Sequence, residues 1–212
     1  MRIRLFTACL LSTGIMSAST PIDGWYTGLF LGYTYLPSNI SNYTFGVLTD
    51  RVSYIDGYNL GGRIGHSCYP LRYEGEYTYL HARPRSFEIN NVTQSGISGR
   101  SIANLVMANA YYDTYEILPA VTSFLGVGIG YGYLQTSLLS DGPDDFTYFR
   151  VSENKFAYQG TLGLTYNFAE NYALNIAYRY VGTAGAGNYG EVFQAHLVSI
   201  GAIYHFDFGN YK

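Results

Sequence analysis

Four histidines, His66, His81, His196 and His205, are the side chains best suited to acid–base or metal chemistry. His196 and Ser199 lie close in the chain, but residues three apart in an extended segment point to opposite sides and cannot act as base and nucleophile. No two of the histidines stand at a zinc-ligand spacing. Asp141, Asp144 and Asp145 form an acidic tip that could hold a weakly bound cation, yet Gly142 and Pro143 among them mark an ordinary solvated turn. The run Gly126-Val127-Gly128-Ile129-Gly130 invites a phosphate-loop reading but lacks the GxGxxG spacing and a following helix. Cys9 sits inside an apolar leader with too little hydrophobic sequence before it for a lipid attachment site, and Cys68 has no partner with which to build a disulfide framework. The residues therefore point to no catalytic site, no cofactor and no metal, and to a protein that is not an enzyme.

Composition directs attention elsewhere. The chain has 212 residues, of which 13% are charged and 17% aromatic, and its formal charge of −3 offers no basic surface for a nucleic-acid backbone. Its 24 tyrosines supply amphipathic rings suited to a boundary between water and something apolar. The start reads as a secretory signal peptide over residues 1–19: Arg2 and Arg4, an apolar run from Leu5 to Ile15, then Ser17, Ala18 and Ser19, with cleavage between Ser17 and Thr20. Residues 20–212 are expected to form one domain. No later stretch approaches the roughly 20 apolar residues of a membrane helix, so residence in a bilayer would require a closed barrel.

Period-two alternation supports that requirement. Phe156, Tyr158, Leu162, Leu164, Tyr166 and Phe168 alternate with Ala157, Gln159, Thr161, Gly163, Thr165 and Asn167. Tyr172 to Tyr180 repeats the pattern, and in Leu125 to Tyr133 the small parity is entirely glycine, which leaves room inside a narrow barrel. Eight such segments can be laid out, near 25–35, 53–66, 71–83, 101–114, 121–135, 155–168, 172–181 and 193–208. In the fourth, Ala103, Leu105 and Met107 compete with Ile102, Val106 and Ala108 for the apolar face. All six prolines fall between these segments, and the connections alternate between long ones (37–52, 84–100, 136–154, 182–192) and short ones. The pattern predicts an all-β, eight-stranded antiparallel up-and-down barrel with tight turns at one rim and long loops at the other.

Alternation alone does not say which parity faces outward, and a soluble ligand-carrying barrel would be greasy inside. Its outer face would then need Lys and Glu, whereas the polar parity here is Gly, Ala, Thr, Asn and Ser. The strand charges Arg63, Arg72, Glu74, Glu76 and Arg179 share that parity. In a transmembrane barrel they would meet in the lumen as compensating pairs.

The opening Gly24-Trp25-Tyr26-Thr27-Gly28-Leu29-Phe30-Leu31-Gly32-Tyr33, the stretch Met107-Ala108-Asn109-Ala110-Tyr111-Tyr112-Asp113 and the strand Gly126-Val127-Gly128-Ile129-Gly130-Tyr131 resemble the opacity-protein and OmpA-like outer-membrane barrels of Gram-negative bacteria. The resemblance implies location in the outer membrane, contact with its lipids and insertion by the outer-membrane assembly machinery. Gly201, Tyr204 and Phe206 look like the assembly signal, although the chain continues through Gly209, Asn210, Tyr211 and Lys212 where relatives commonly end on an aromatic residue. The function expected is that of a structural, surface-interaction envelope component, adhesin-like and acting through external loops on a host or surface ligand. A small-solute porin is the alternative, and a lipid-modifying enzyme is disfavoured by the missing triad.

Overall fold

The computed structural model describes the backbone of residues 23–37, 39–43, 48–89, 92–93, 95–141, 146–184 and 193–206, with side chains over 23–37, 57–83, 99–137, 152–184 and 193–206. The signal-peptide segment, the acidic tip from Gly142 to Asp145 and the end from Gly209 to Lys212 lie outside these residues. Ten strands run β1 (Gly24–Tyr35), β2 (Asn39–Tyr43), β3 (Leu48–Cys68), β4 (Leu71–Ile89), β5 (Val92–Thr93), β6 (Ser95–Leu118), β7 (Val121–Asp141), β8 (Phe146–Asn167), β9 (Tyr172–Thr183) and β10 (Gln194–His205). Eight of them close a ring in the order β1–β3–β4–β6–β7–β8–β9–β10, and β10 returns to β1 with Phe30 opposite Gly201. Every pairing is antiparallel. β2 and β5 are short additions at the long-loop rim. At the opposite rim the turns are tight, at Tyr69–Pro70, Pro119–Ala120 and 168–171.

The parity read from the sequence is the parity of the wall. Leu29, Val127 and Tyr131 stand outward at 73, 69 and 68% exposure, while Tyr26, Phe30, Arg179 and Asn59 turn inward and are buried. The outward face has three bands. Aliphatic residues such as Leu29, Ile64, Ile129 and Ile176 occupy the middle, and rings such as Trp25, Tyr73, Phe168 and Tyr204 mark the turn side. Tyr35, Tyr58, Tyr133 and Tyr178 mark the loop side. This is the layout of a wall in a bilayer, with amphipathic rings at both interfaces. The ambiguous fourth segment resolves with Ala103, Leu105 and Met107 inward and Val106 and Ala108 outward.

Two expectations require correction. β1, β9 and β10 have 12 residues each, close to the roughly 9–11 that cross a bilayer as a tilted strand, but β3, β6, β7 and β8 have 21, 24, 21 and 22. Much of what reads as long loop in the sequence (48–52, 84–89, 95–100, 136–141 and 146–154) is strand that rises past the apolar band. Its composition, with Ser86, Ser95, Ser98, Ser137, Ser140 and Ser152 and no sustained alternation, imitates a loop. Pro84 consequently lies inside β4 rather than between strands. It is opposite Tyr54, at a register shift, and its free side lies above Ala82–Ser101, the last pair joining β4 to β6, so no ladder there requires its missing N–H.

Candidate functional site

The inward side chains form two storeys. In the turn-side half β3 and β4, which pair Arg63 with Glu76 and Gly65 with Glu74, carry most of the charges. Arg72 Nη1 donates to Glu74 Oε1 at 3.0 Å, and Arg72 Nε lies 3.2 Å from Asp113 Oδ2. Arg63 Nη1 is 3.7 Å from Glu74 Oε2, and the Tyr26 hydroxyl donates to Glu74 Oε1 at 2.6 Å. One step towards the loops, Arg179 Nη1 donates to Glu76 Oε1 at 2.5 Å and to Thr78 Oγ1 at 3.2 Å. Its Nη2 donates to Ser199 Oγ at 3.0 Å and to Asn59 Oδ1 at 3.3 Å. Asn59 in turn donates from Nδ2 to Thr34 Oγ1, which ties β1, β3, β4, β9 and β10 together across the lumen.

Three guanidinium groups thus face three carboxylates, Glu74, Glu76 and Asp113, and the group is formally neutral. Burying charges is costly unless they are paired and hydrogen-bonded, and here each ion has a partner of opposite sign. Aromatic faces complete the surroundings: Phe30 lies 4.2 Å from the Arg179 guanidinium carbon and 5.1 Å from that of Arg63, and Tyr111 and Phe124 flank Arg72 at 4.8 and 4.9 Å. The β7 glycines make this packing possible. A Cβ at Gly126 would strike the Tyr111 ring, and one at Gly128 would strike the Asn109 amide, so the glycine stripe is the space into which β6 side chains fit.

The loop-side half differs from the expectation of a small polar lumen. Leu36, Leu80, Ala103, Leu105, Leu134, Ala157, Val181, Phe193, Ala195 and Leu197 form one apolar cluster, each at most 8% exposed. It lies directly above the Arg179 network, since Leu80 is two residues from Thr78 and Leu197 two from Ser199. A cavity of about 40 Å³ opens at the turn-side mouth, among Ser67, Arg72, Asp113, Asn167 and His205.

The histidines are all engaged with aromatic rings. His66 is edge-on to Trp25, His81 stacks on Tyr58, His205 lies against Tyr26, and His196 Nδ1 is 2.6 Å from the Tyr178 hydroxyl. Ser199 serves Arg179 on the inner face, while His196 stands on the outer. Among the described residues no cluster of three His, Cys, Asp or Glu is placed to hold a metal. Gly201 faces inward beside Asn175 and the Arg63 guanidinium, Tyr204 faces outward, and its ring meets that of Phe206 just beyond β10. Sequence reading missed Tyr26, Phe30, Asn59, Asp113 and Ser199 as members of the network. Their inward parity was the available signal, and Asp113 shares it, in step with Asn109 and Tyr111 just before the register shift that follows it.

A closed antiparallel barrel with an aliphatic belt between aromatic girdles, a charge-balanced interior and tight turns at one rim is an outer-membrane barrel. The chain belongs to the outer membrane protein beta-barrel domain family, whose model matches residues 6–206. It is a protein of the outer membrane. Among solved structures it is similar to Neisserial surface protein A, with 17% identity over 86% of this chain and 97% of that one and a TM-score of 0.54. It is also similar to Ail, the attachment invasion locus protein of Yersinia pestis, with 21% identity over 87% and 100% and a TM-score of 0.47. The N-terminal barrel domain of Pseudomonas aeruginosa OprF gives 13% identity over 87% and 98% and a TM-score of 0.42. At these identities the likeness concerns the fold. No curated protein matches the sequence.

Proposed function

We propose that this protein is a surface-interaction component of the outer membrane, in which the barrel anchors and the projecting hairpins meet a ligand outside the cell. The observation that carries the reading is the way the wall opens above the closed ring. Pairing of β1 with β3 reaches Thr34–Gly57, of β4 with β6 Ala82–Ser101, and of β8 with β9 Ala157–Thr183. Beyond those pairs the strands continue as two separate sheets, β2–β3–β4–β5 and β6–β7–β8. Backbone ordered in this way beyond the bilayer has no role in anchoring, and surface-reaching segments on a rigid scaffold are where binding residues concentrate. The apolar cluster of Leu80, Leu105, Leu134 and Leu197 argues against a solute pore, because it fills the outer half of a lumen already narrow at eight strands. No catalytic role is assigned, His196 and Ser199 being on opposite faces. Gly201, Tyr204 and Phe206 are proposed as the signal read by the assembly machinery.

The test is to trim the β7–β8 hairpin by paired removal of residues 138–149, and separately the β2–β3 hairpin by removal of 39–52. Bacteria displaying each form are then scored for binding to host cells or matrix components. The trimmed barrels should still migrate differently on gels when unheated, and binding should fall. Unchanged binding by both forms, or large stable conductance of the full-length protein in planar bilayers, would overturn the proposal.

A further inference from the structure

We infer that Arg83 and Arg100 form a binding site for an anionic, phosphate-bearing headgroup of an outer-leaflet lipid, on the outer wall where β4 and β6 part. The argument starts from the register. Ala82 and Ser101 are the last β4–β6 pair and both point inward, so Arg83 and Arg100, the next residue on each strand, both turn outward and are exposed. Like charges on neighbouring strands repel, and the ladder stops one step before these two.

Among the described side chains between Trp25 and Tyr204, the other charged ones that face outward are Glu116 and Glu170, both at the opposite, turn-side rim. The other guanidiniums among the described side chains, those of Arg63, Arg72 and Arg179, lie in the lumen and are matched there by carboxylates. At the loop side Lys155 is paired with Glu153 at 3.0 Å. Arg83 and Arg100 have no such partner among the described residues. Their height is defined by what lies beneath them: His81 stacked on Tyr58, then Tyr79, then Tyr77 with its hydroxyl donating to Asn104 Oδ1 at 2.7 Å. These rings form the loop-side girdle, which marks the boundary between acyl chains and headgroups. Two guanidiniums directly above that boundary are placed at headgroup level, where the anion a guanidinium fork would meet is a lipid phosphate.

Basic side chains at an anionic lipid surface contribute about fivefold in affinity each, so the pair should be worth about thirtyfold. The experiment takes the folded full-length barrel in uncharged detergent and measures binding of bis-phosphorylated lipid A, of the same lipid stripped of its phosphates, and of inorganic phosphate. Arg83→Gln with Arg100→Gln should fold at least as well as the parent and bind the phosphorylated lipid about thirtyfold more weakly. Arg83→Lys with Arg100→Lys should recover part of that loss. The stripped lipid should not distinguish parent from double variant. Equal binding of phosphorylated lipid by the parent and the Gln variant overturns the inference, as does tight binding of inorganic phosphate that matches the lipid, which would make the ligand a free anion. The hairpin-trimming test does not touch these residues, so the two readings fail separately.

Discussion

Replacing Arg179 by Met tests whether the lumen network holds the barrel together. Arg179 is 3% exposed, and its guanidinium donates to Glu76, Thr78, Asn59 and Ser199. Methionine keeps much of the apolar stem over Phe30 and removes the charge and all four donated bonds. Glu76 is left with the Thr78 hydroxyl, 3.0 Å away, as its hydrogen bond and with no cation in contact. Stranding one member of a buried pair costs about 3–5 kcal/mol, because the remaining carboxylate has lost both water and its counter-ion. Arg179→Met combined with Glu76→Gln removes both charges and should cost only about 1–2 kcal/mol, the value of the neutral hydrogen bonds given up. The double-mutant cycle should therefore return a coupling of about 2 kcal/mol or more. Trp25 is the single tryptophan and is half exposed at the turn-side girdle, so its fluorescence follows urea unfolding from lipid vesicles without a label. Arg179→Met within about 1 kcal/mol of the parent, or a double variant no more stable than the single one, would refute the idea that paired charges stabilise this lumen.

Two further outcomes follow from the wall itself. Ile129→Arg puts a charge in the aliphatic belt and should cost about 2–4 kcal/mol in vesicle unfolding, whereas Tyr133→Arg, in the loop-side girdle, should cost at most about 1 kcal/mol; equal costs would mean that the belt is misplaced. Tyr204→Ser with Phe206→Ser should leave the chain unassembled in the periplasm, and normal outer-membrane levels on fractionation would remove these rings from the proposed assembly signal.

The sequence exposes this architecture to the extent that burial imposes alternation. The greasy parity of β7, β8 and β9 is continuous because lipid lies on one side, and the inward position of Arg63, Arg72, Glu74, Glu76 and Arg179 follows from counting by twos. Counting fails where the environment is the same on both sides. Beyond the closed ring, strand segments such as 95–100 carry no sustained alternation in the sequence and read as loop. It fails again at the apolar cluster, where Leu105 and Val106 are both greasy because one meets the packed lumen and the other meets lipid. The long-range partners are hidden for a different reason. That Arg179 meets Glu76 depends on how far the strands are staggered around the ring, a quantity set by closure that no local pattern records.

The distribution of charge separates the part of the wall that anchors from the part that projects beyond it. Inside, three cations and three carboxylates cancel, held by the Tyr26 hydroxyl and the faces of Phe30 and Tyr111, so the interior is cross-linked without a field that would draw ions through it. Above this network the cluster around Leu80 and Leu105 contributes packing without charge. Rigidity is therefore supplied by contacts below the level at which the β4–β6 ladder ends. The hairpins beyond that level add no ladder that the ring needs and can change sequence or length at little cost to the fold. Arg83 and Arg100 stand on the dividing line: they are too high to serve the ring and too close to the girdle to serve the hairpin tips, so what they contact is set by the bilayer surface.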